Sequence, residues 1–260
     1  MPAKRARIDK LLVDRGLVGS RERARRLVMA GDVWVAERRV DKPGTLVPAE
    51  APVEVRGSDI PFVSRGGLKL DAALDHWHIE VQGAVAVDIG ASTGGFTDCL
   101  LQRGARQVFA IDVGYGQFAW KLRQDPRVRL FERVNIRDVD PSILPAPADL
   151  AVVDVSFISL RLVLPQVIRL VHPQGTILAL VKPQFEVGKG EVGKGGVVRD
   201  PTQQQAVVAH IREFGTSLEL ACHGDFPSPV PGPKGNREFF LYFTCGPPLA
   251  VINDAVNQPS

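Results

Sequence analysis

Asp88-Ile89-Gly90-Ala91-Ser92-Thr93-Gly94-Gly95-Phe96-Thr97-Asp98 follows a short apolar run, Ala84 to Val87, and opens a helical pattern with Leu100 and Leu101 on its apolar side. Strand, glycine turn, helix is how an α/β sheet presents backbone N–H groups to a ligand. A dinucleotide loop reads G-x-G-x-x-G, and Gly90 to Gly95 lacks the second of those glycines. Present instead are an acidic residue two before the first glycine and a further glycine four after it. That form suits a ligand with an amino-acid end and no pyrophosphate, and S-adenosylmethionine is the leading candidate for it. Asp88, Gly90, Ser92, Gly94 and Phe96 are the candidate residues of the loop.

On either side of this loop, apolar runs predict strands at 84–88, 107–112, 128–131, 149–154, 176–182, 217–222 and 238–244. Periodic stretches predict helices at 68–77, 94–104, 117–123, 159–171 and 202–214. This alternation implies an α/β fold: a doubly wound, mostly parallel, seven-stranded Rossmann-like sheet. Only a proline-rich loop, Pro227 to Pro233, parts the last two strands, which predicts an antiparallel pair at the sheet edge.

Before the sheet lies a smaller module. Ile8, Leu11 and Leu12 mark one short helix ended by Gly16. Ser20 caps a second, whose apolar face is Ala24, Leu27 and Val28 and whose stop is Gly31. Val33 to Val35 and Pro52 to Val55 read as short strands around a turn at Lys42-Pro43-Gly44. Residues 1–58 hold 13 Lys and Arg against 8 Asp and Glu, a net of +5, whereas 59–260 hold 19 against 21, a net of −2. A basic module on a near-neutral body points to nucleic-acid contact through Lys4, Arg5, Arg7, Arg21 and Arg25. The competing reading is a solvated basic surface.

The bulk numbers close off other classes. With 45% hydrophobic and 23% charged residues, the chain can build a proper core. No apolar run approaches the ~18 residues needed to span a bilayer. The charged start of the chain leads into no signal-peptide core, so a cytoplasmic location is expected. Cys99, Cys222 and Cys245 are odd in number and far apart, and read as small hydrophobes in a reducing compartment. No cysteine or carboxylate stands at ligand spacing beside His76 and His78, so no metal is expected.

In such sheets ligands sit outside the carboxyl ends of strands. Asp112, 22 residues after Gly90, is placed to accept the ribose hydroxyls of an adenosine. An NAD site uses the same residue, so Asp112 alone does not discriminate. Asp138 either reaches an adenine amino group or caps a helix. Asp154 ends the fourth predicted strand and Lys182 the fifth. A lysine ending an apolar strand is costly unless solvated or paired. Pairing with Asp154 makes either a structural ion pair or a catalytic one. Gly188 to Gly195 nearly matches a phosphate loop, but Gly195 replaces the Ser or Thr that would hold magnesium. It reads as a loop that closes over substrate through Lys189 and Lys194, or as an ordinary flexible loop.

Five segments in order carry a resemblance over about residues 5–245: Val63 to Leu70 (VSRGGLKL), the glycine loop, Asp112 to Gln117, Asp154 to Leu160 (DVSFISL) and Val181 to Glu186 (VKPQFE). Together they resemble the bacterial TlyA or "hemolysin" family of ribosomal RNA 2′-O-methyltransferases. The resemblance implies a ribosomal-protein-like RNA-binding module (1–58), a linker (59–64), an FtsJ-like methyltransferase domain (65–246) and a loose tail (247–260). It implies S-adenosylmethionine as cofactor, ribosomal RNA as partner, and a Lys-Asp-Lys-Glu tetrad falling here on Lys69, Asp154, Lys182 and Glu238. Phe157 completes the candidate cofactor set, and Arg65, Lys189 and Lys194 join the candidate RNA contacts. Ile60 to Val63 departs from the more polar connector of some relatives.

Three rivals remain at this point. A membrane-lysing protein has no spanning segment here, and the one basic amphipathic helix is short. A non-catalytic RNA-binding or ribosome-assembly factor needs no tetrad. A nicotinamide-dependent dehydrogenase conflicts with the glycine pattern.

Overall fold

In the computed structural model, residues 5–55, 60–188, 190, 192, 193 and 195–246 are described, without the side chains of Arg26, Ala30 and Pro233. The chain divides into two units, Met1–Ile60 and Pro61–Ser260.

The first unit is α+β. Strand β1 (Arg5–Arg7) runs into helix α1 (Ile8–Asp14), followed by α2 (Arg21–Ala30), β2 (Val33–Val35), β3 (Arg38–Val40), β4 (Leu46–Pro48) and β5 (Val53–Val55). Ser20 accepts a hydrogen bond from the backbone N–H of Arg23, and Gly31, with φ 76°, ends α2 in the left-handed conformation. β2 pairs antiparallel with β3 and β5, and β1 pairs with β4. Ile8, Leu12, Ala24, Val28 and Val33 have no exposed surface and form the core. Burial of a side chain the size of Ile8 or Leu12 stabilises by about 1.5–3 kcal/mol.

The second unit opens with helix α3 (Arg65–His76), followed by β6 (Val85–Ile89), α4 (Gly95–Gln102), β7 (Gln107–Asp112), α5 (Trp120–Arg123) and β8 (Val128–Glu132). It continues with β9 (Ala148–Val153), α6 (Leu160–Ile168), β10 (Val171–Val181), α7 (Pro183–Glu186), α8 (Pro201–Ser217), β11 (Leu220–Pro227) and β12 (Phe239–Cys245). The sheet order is β11-β12-β10-β9-β6-β7-β8. β6 to β10 are parallel, and β12 lies antiparallel between β10 and β11. The order reverses between β6 and β9, so their carboxyl ends flank the crevice where such sheets bind ligands. β10 starts earlier than expected because a register irregularity between Val171 and Thr176 lets it continue past Pro173 and Gly175. β11 starts later than expected because α8 runs on to Ser217, with a turn at Glu219 (φ 63°).

The expected linker, 59–64, is described from residue 60 onward. Residues 56–59 lie outside the described residues, but Phe62 and Val63 are buried in the second unit. Phe62 packs against Gly67, where a Cβ would strike its ring. The Val63 N–H donates to Asp98 Oδ2 at 2.7 Å, and Gln102 Nε2 donates to the Pro61 carbonyl at 3.0 Å. Apolar side chains at 62 and 63 make this segment part of the body. The expected tail, 247–260, lies outside the described residues.

Candidate active site

Two adjoining cavities open at the carboxyl edge of the sheet and share Gly90, Ser92 and Asp154. The glycine loop divides them. Gly90 has φ 85°, and a Cβ there would strike the Asp154 carbonyl oxygen. Both conditions require glycine. The Asp154 N–H in turn donates to the Ile89 carbonyl at 2.8 Å, locking loop to strand end.

The larger cavity, about 680 Å³, lies beside Asp112, Gln117, Asn135, Arg137, Ser156 and Phe157. Asp112 accepts from the Ser92 N–H (2.7 Å) and the Gly114 N–H (2.6 Å), so it fixes the glycine loop and its own loop together. Asp138 is exposed and is not among the lining residues; Asn135 caps the 3-10 turn of residues 136–138, accepting from the Arg137 N–H. Phe157 is 90% exposed and sits at φ 63°, a strained conformation for a bulky side chain, with its ring 4.9 Å from Phe185.

Asp88 does not line either cavity. It is fully buried beneath the loop and accepts from Thr97 Oγ1 at 2.6 Å, while its Oδ1 has no partner among the described residues. Burial raises this carboxyl to about 7, against the Thr97 bond and helped by the charges of Asp154 and Asp112. Gly94 also lines neither cavity. It caps α4 at φ 91° against Phe118 and Leu122. Phe96 does reach the smaller cavity and packs on Phe240.

The smaller cavity, about 420 Å³, is lined by Ser64, Arg65, Lys69, Phe96, Asp154 and Lys182, among others. It exists because the amino ends of α3 and α4 meet. A Cβ on Gly95 would strike Ser64 Oγ and lie 3.0 Å from the Gly67 nitrogen. The Ser-Arg-Gly-Gly and Thr-Gly-Gly segments are thus two sides of one contact. Asp98, one turn along α4, holds the Val63 backbone and pairs with Lys121 at 2.9 Å.

Four charged side chains converge here as two pairs. Lys69 Nζ lies 2.6 Å from Glu238 Oε2. Lys182 Nζ lies 2.6 Å from Asp154 Oδ1 and donates to Ser156 Oγ at 2.9 Å. Lys69, Lys182 and Glu238 are buried. Burying such charges is tolerable only because each is paired. Glu238 stands behind Gly232, where a Cβ would strike its Oε1, and that oxygen has no partner among the described residues.

Three residues escaped the sequence reading. Ser156 holds Lys182. Glu186 accepts from Ser159 Oγ (2.6 Å) and the Leu160 N–H (2.8 Å), tying α7 to the start of α6. Asn236 donates to the Gly196 carbonyl (3.0 Å) and accepts from the Val198 N–H (3.2 Å). Ser156 lies in the DVSFISL segment and Glu186 in VKPQFE, so both stand beside residues with a sequence signal.

Of the expected RNA contacts, Arg65 is exposed at the cavity mouth. Arg5 donates to the Leu46 carbonyl (2.8 Å), Arg7 and Arg21 bind Asp9, and Arg25 is exposed. Lys4, Lys189 and Lys194 lie outside the described residues. Among the described residues there is no cluster of three metal-ligating side chains, and no helix is long and apolar enough to cross a membrane.

The chain matches the family model of FtsJ-like methyltransferases over residues 62–245 and that of the S4 domain over 6–53. It is 48% identical to the 16S/23S rRNA (cytidine-2′-O)-methyltransferase TlyA of Mycobacterium tuberculosis, over 98% of this chain and 97% of that one. It is also 48% identical to the candidate rRNA methyltransferase YqxC of Bacillus subtilis, over 93% and 86%. Among solved structures, a candidate hemolysin of Streptococcus thermophilus superposes with a TM-score of 0.74 at 41% identity, covering 93% of this chain and 89% of that one.

Proposed function

The chain belongs to the FtsJ-like methyltransferase family and is a methyltransferase, and we propose that it methylates ribose 2′-hydroxyls of ribosomal RNA with S-adenosylmethionine as donor. The observation that carries this reading is the double lysine–carboxylate arrangement, Lys69–Glu238 and Lys182–Asp154, around the smaller cavity.

The residues present fit the donor. The larger cavity lies in the size range of a cofactor site, with Asp112 and Gln117 beside it for a ribose and Asn135 to Arg137 and Phe157 for a base. The glycine loop, where no Cβ is accommodated at Gly90, leads from there to the tetrad. When bound, S-adenosylmethionine would supply an electrophilic methyl group, with its sulfonium sulfur as the leaving group for transfer to the acceptor oxygen.

The protein's task is the acceptor. A 2′-hydroxyl is a weak acid and a weak nucleophile. Lys182, at the wall of the smaller cavity, would take its proton as general base. Asp154 and Ser156 fix the direction of its Nζ. Lys69, held by Glu238, adds a second fixed donor for the acceptor oxygen. Holding reactants in line supplies much of the acceleration. Arg65 at the mouth and the arginines of the N-terminal unit would grip phosphates, which give affinity and register but no sequence reading. Binding therefore weakens steeply with salt. Such a substrate would be met in the cytoplasm.

The test is titration of the protein with S-adenosylmethionine and with NAD in a calorimeter. Heat from the first alone supports the reading, and heat from NAD alone refutes it.

A further inference from the structure

Asp9 is fully buried in the N-terminal unit, where an acidic side chain has no place in a hydrophobic core. It is kept there by two arginines from separate elements. Arg7, at the end of β1, grips it through Nε to Oδ1 and Nη2 to Oδ2, both at 3.0 Å. Arg21, the first residue of α2, adds Nε to Oδ2 at 3.1 Å. The Asp9 N–H donates to the Pro43 carbonyl at 3.2 Å, so the backbone that carries the carboxylate is tied to the turn as well.

The arginines are not buried with it. Their side chains remain 49% and 59% exposed. A guanidinium has five N–H donors. In these bonds Arg7 commits two and Arg21 one. Two cations against one anion leave the group positive. Two planar forks, their rotation stopped by a shared buried anchor, form a geometry suited to the oxygens of a phosphodiester. The Arg7 bond, with Arg21 helping, holds Asp9 down at about 2 against the effect of burial, so the anchor stays charged at working pH.

We propose that Asp9 is a positioning residue that sets Arg7 and Arg21 as a paired clamp for RNA phosphate. The proposal rests on the reading of this unit as the RNA-binding surface.

Two accounts of Asp9 predict opposite signs. If Asp9 only offsets charge, its neutralisation makes the unit more basic and RNA binding tighter. If it positions the clamp, neutralisation loosens both forks and binding weakens. The experiment measures binding of the full-length protein to isolated ribosomal subunits over a range of salt. Asp9→Asn is expected to weaken binding about three- to tenfold, with a shallower salt dependence. Its calorimetric affinity for S-adenosylmethionine stays at the wild-type value. Arg7→Lys keeps the charge and loses the fork, and is expected to weaken binding to a similar degree. It decides the matter should Asp9→Asn fail to fold. Asp9→Asn that binds as tightly as wild type or tighter, or Arg7→Lys indistinguishable from wild type, overturns the proposal while leaving RNA binding itself intact. Wild-type protein that does not bind subunits overturns the reading beneath it and the proposal with it.

Discussion

Lys69 and Glu238 stand 169 residues apart in the chain, and their Nζ and Oε2 lie 2.6 Å apart in space. Their side chains are 10% and 0% exposed. The pair ties the first helix of the body to the entry of its last strand. Removing one partner strands the other. Glu238→Gln is expected to destabilise the protein by about 3–5 kcal/mol, because a buried ammonium is left without its anion. The double replacement Lys69→Met with Glu238→Leu is expected to lose less than that. Urea unfolding of the two variants measures both, and a double variant less stable than the single would refute the prediction.

The contact of Gly95 with Ser64 predicts a steric result. Gly95→Ala drives a methyl into Ser64 Oγ and toward the Gly67 nitrogen. Overpacking of this kind costs about 1–3 kcal/mol. Adding Ser64→Ala is expected to restore part of the loss, since the hydroxyl is the nearest obstacle but the backbone at Gly67 remains. Thermal melting of the single and double variants checks it.

Asp88 predicts a pH dependence with a definite sign. Its folded-state value, about 7, is above the ordinary 3.8. Between the two the folded state binds the extra proton, so stability falls as pH rises through this window. Asp88→Asn can still accept from Thr97 and removes the titration. Its stability relative to wild type should climb between pH 4 and pH 8, by up to about 4 kcal/mol. Melting of both proteins without ligand across that range measures the difference. Parallel pH profiles would refute the assignment.

Phe157 is held in the left-handed region while nearly all of its surface is exposed. Little packing is lost on removing it, and glycine relieves a strain of about 1–2 kcal/mol. Phe157→Gly should therefore be at least as stable as wild type yet slower in methyl transfer. Loss of stability without loss of activity would contradict this.

What the sequence made legible follows from how local each feature is. The glycine loop was readable because Gly90 must reach φ 85° and approach Asp154, constraints written into the loop itself. The parallel strands were readable as apolar runs. Lys69 and Glu238 entered only through the family resemblance, since no periodicity links residues so far apart. Strands β1, β3 and β4 were not foreseen: β1 and β3 lack an apolar run, and tertiary pairing such as Arg5 with Pro48 decides β1 and β4. Asp9 carries no local sequence signal of its own. Its burial depends on Arg7 and Arg21 arriving from different elements. Asp88 was expected to face ligand, and it lies instead beneath the loop, because a mid-sheet strand residue points into the packed layer.

In the proposed reaction Lys182, directed by Asp154, prepares a ribose 2′-oxygen for methylation. Transfer of labelled methyl from S-adenosylmethionine to isolated ribosomal subunits, followed by mapping of the label, tests it most directly. The expected result is label on a ribose 2′-oxygen with the wild-type protein and none with Lys182→Ala, although that variant still binds S-adenosylmethionine. Label at the wild-type rate with Lys182→Ala, or label on a base, would contradict the account.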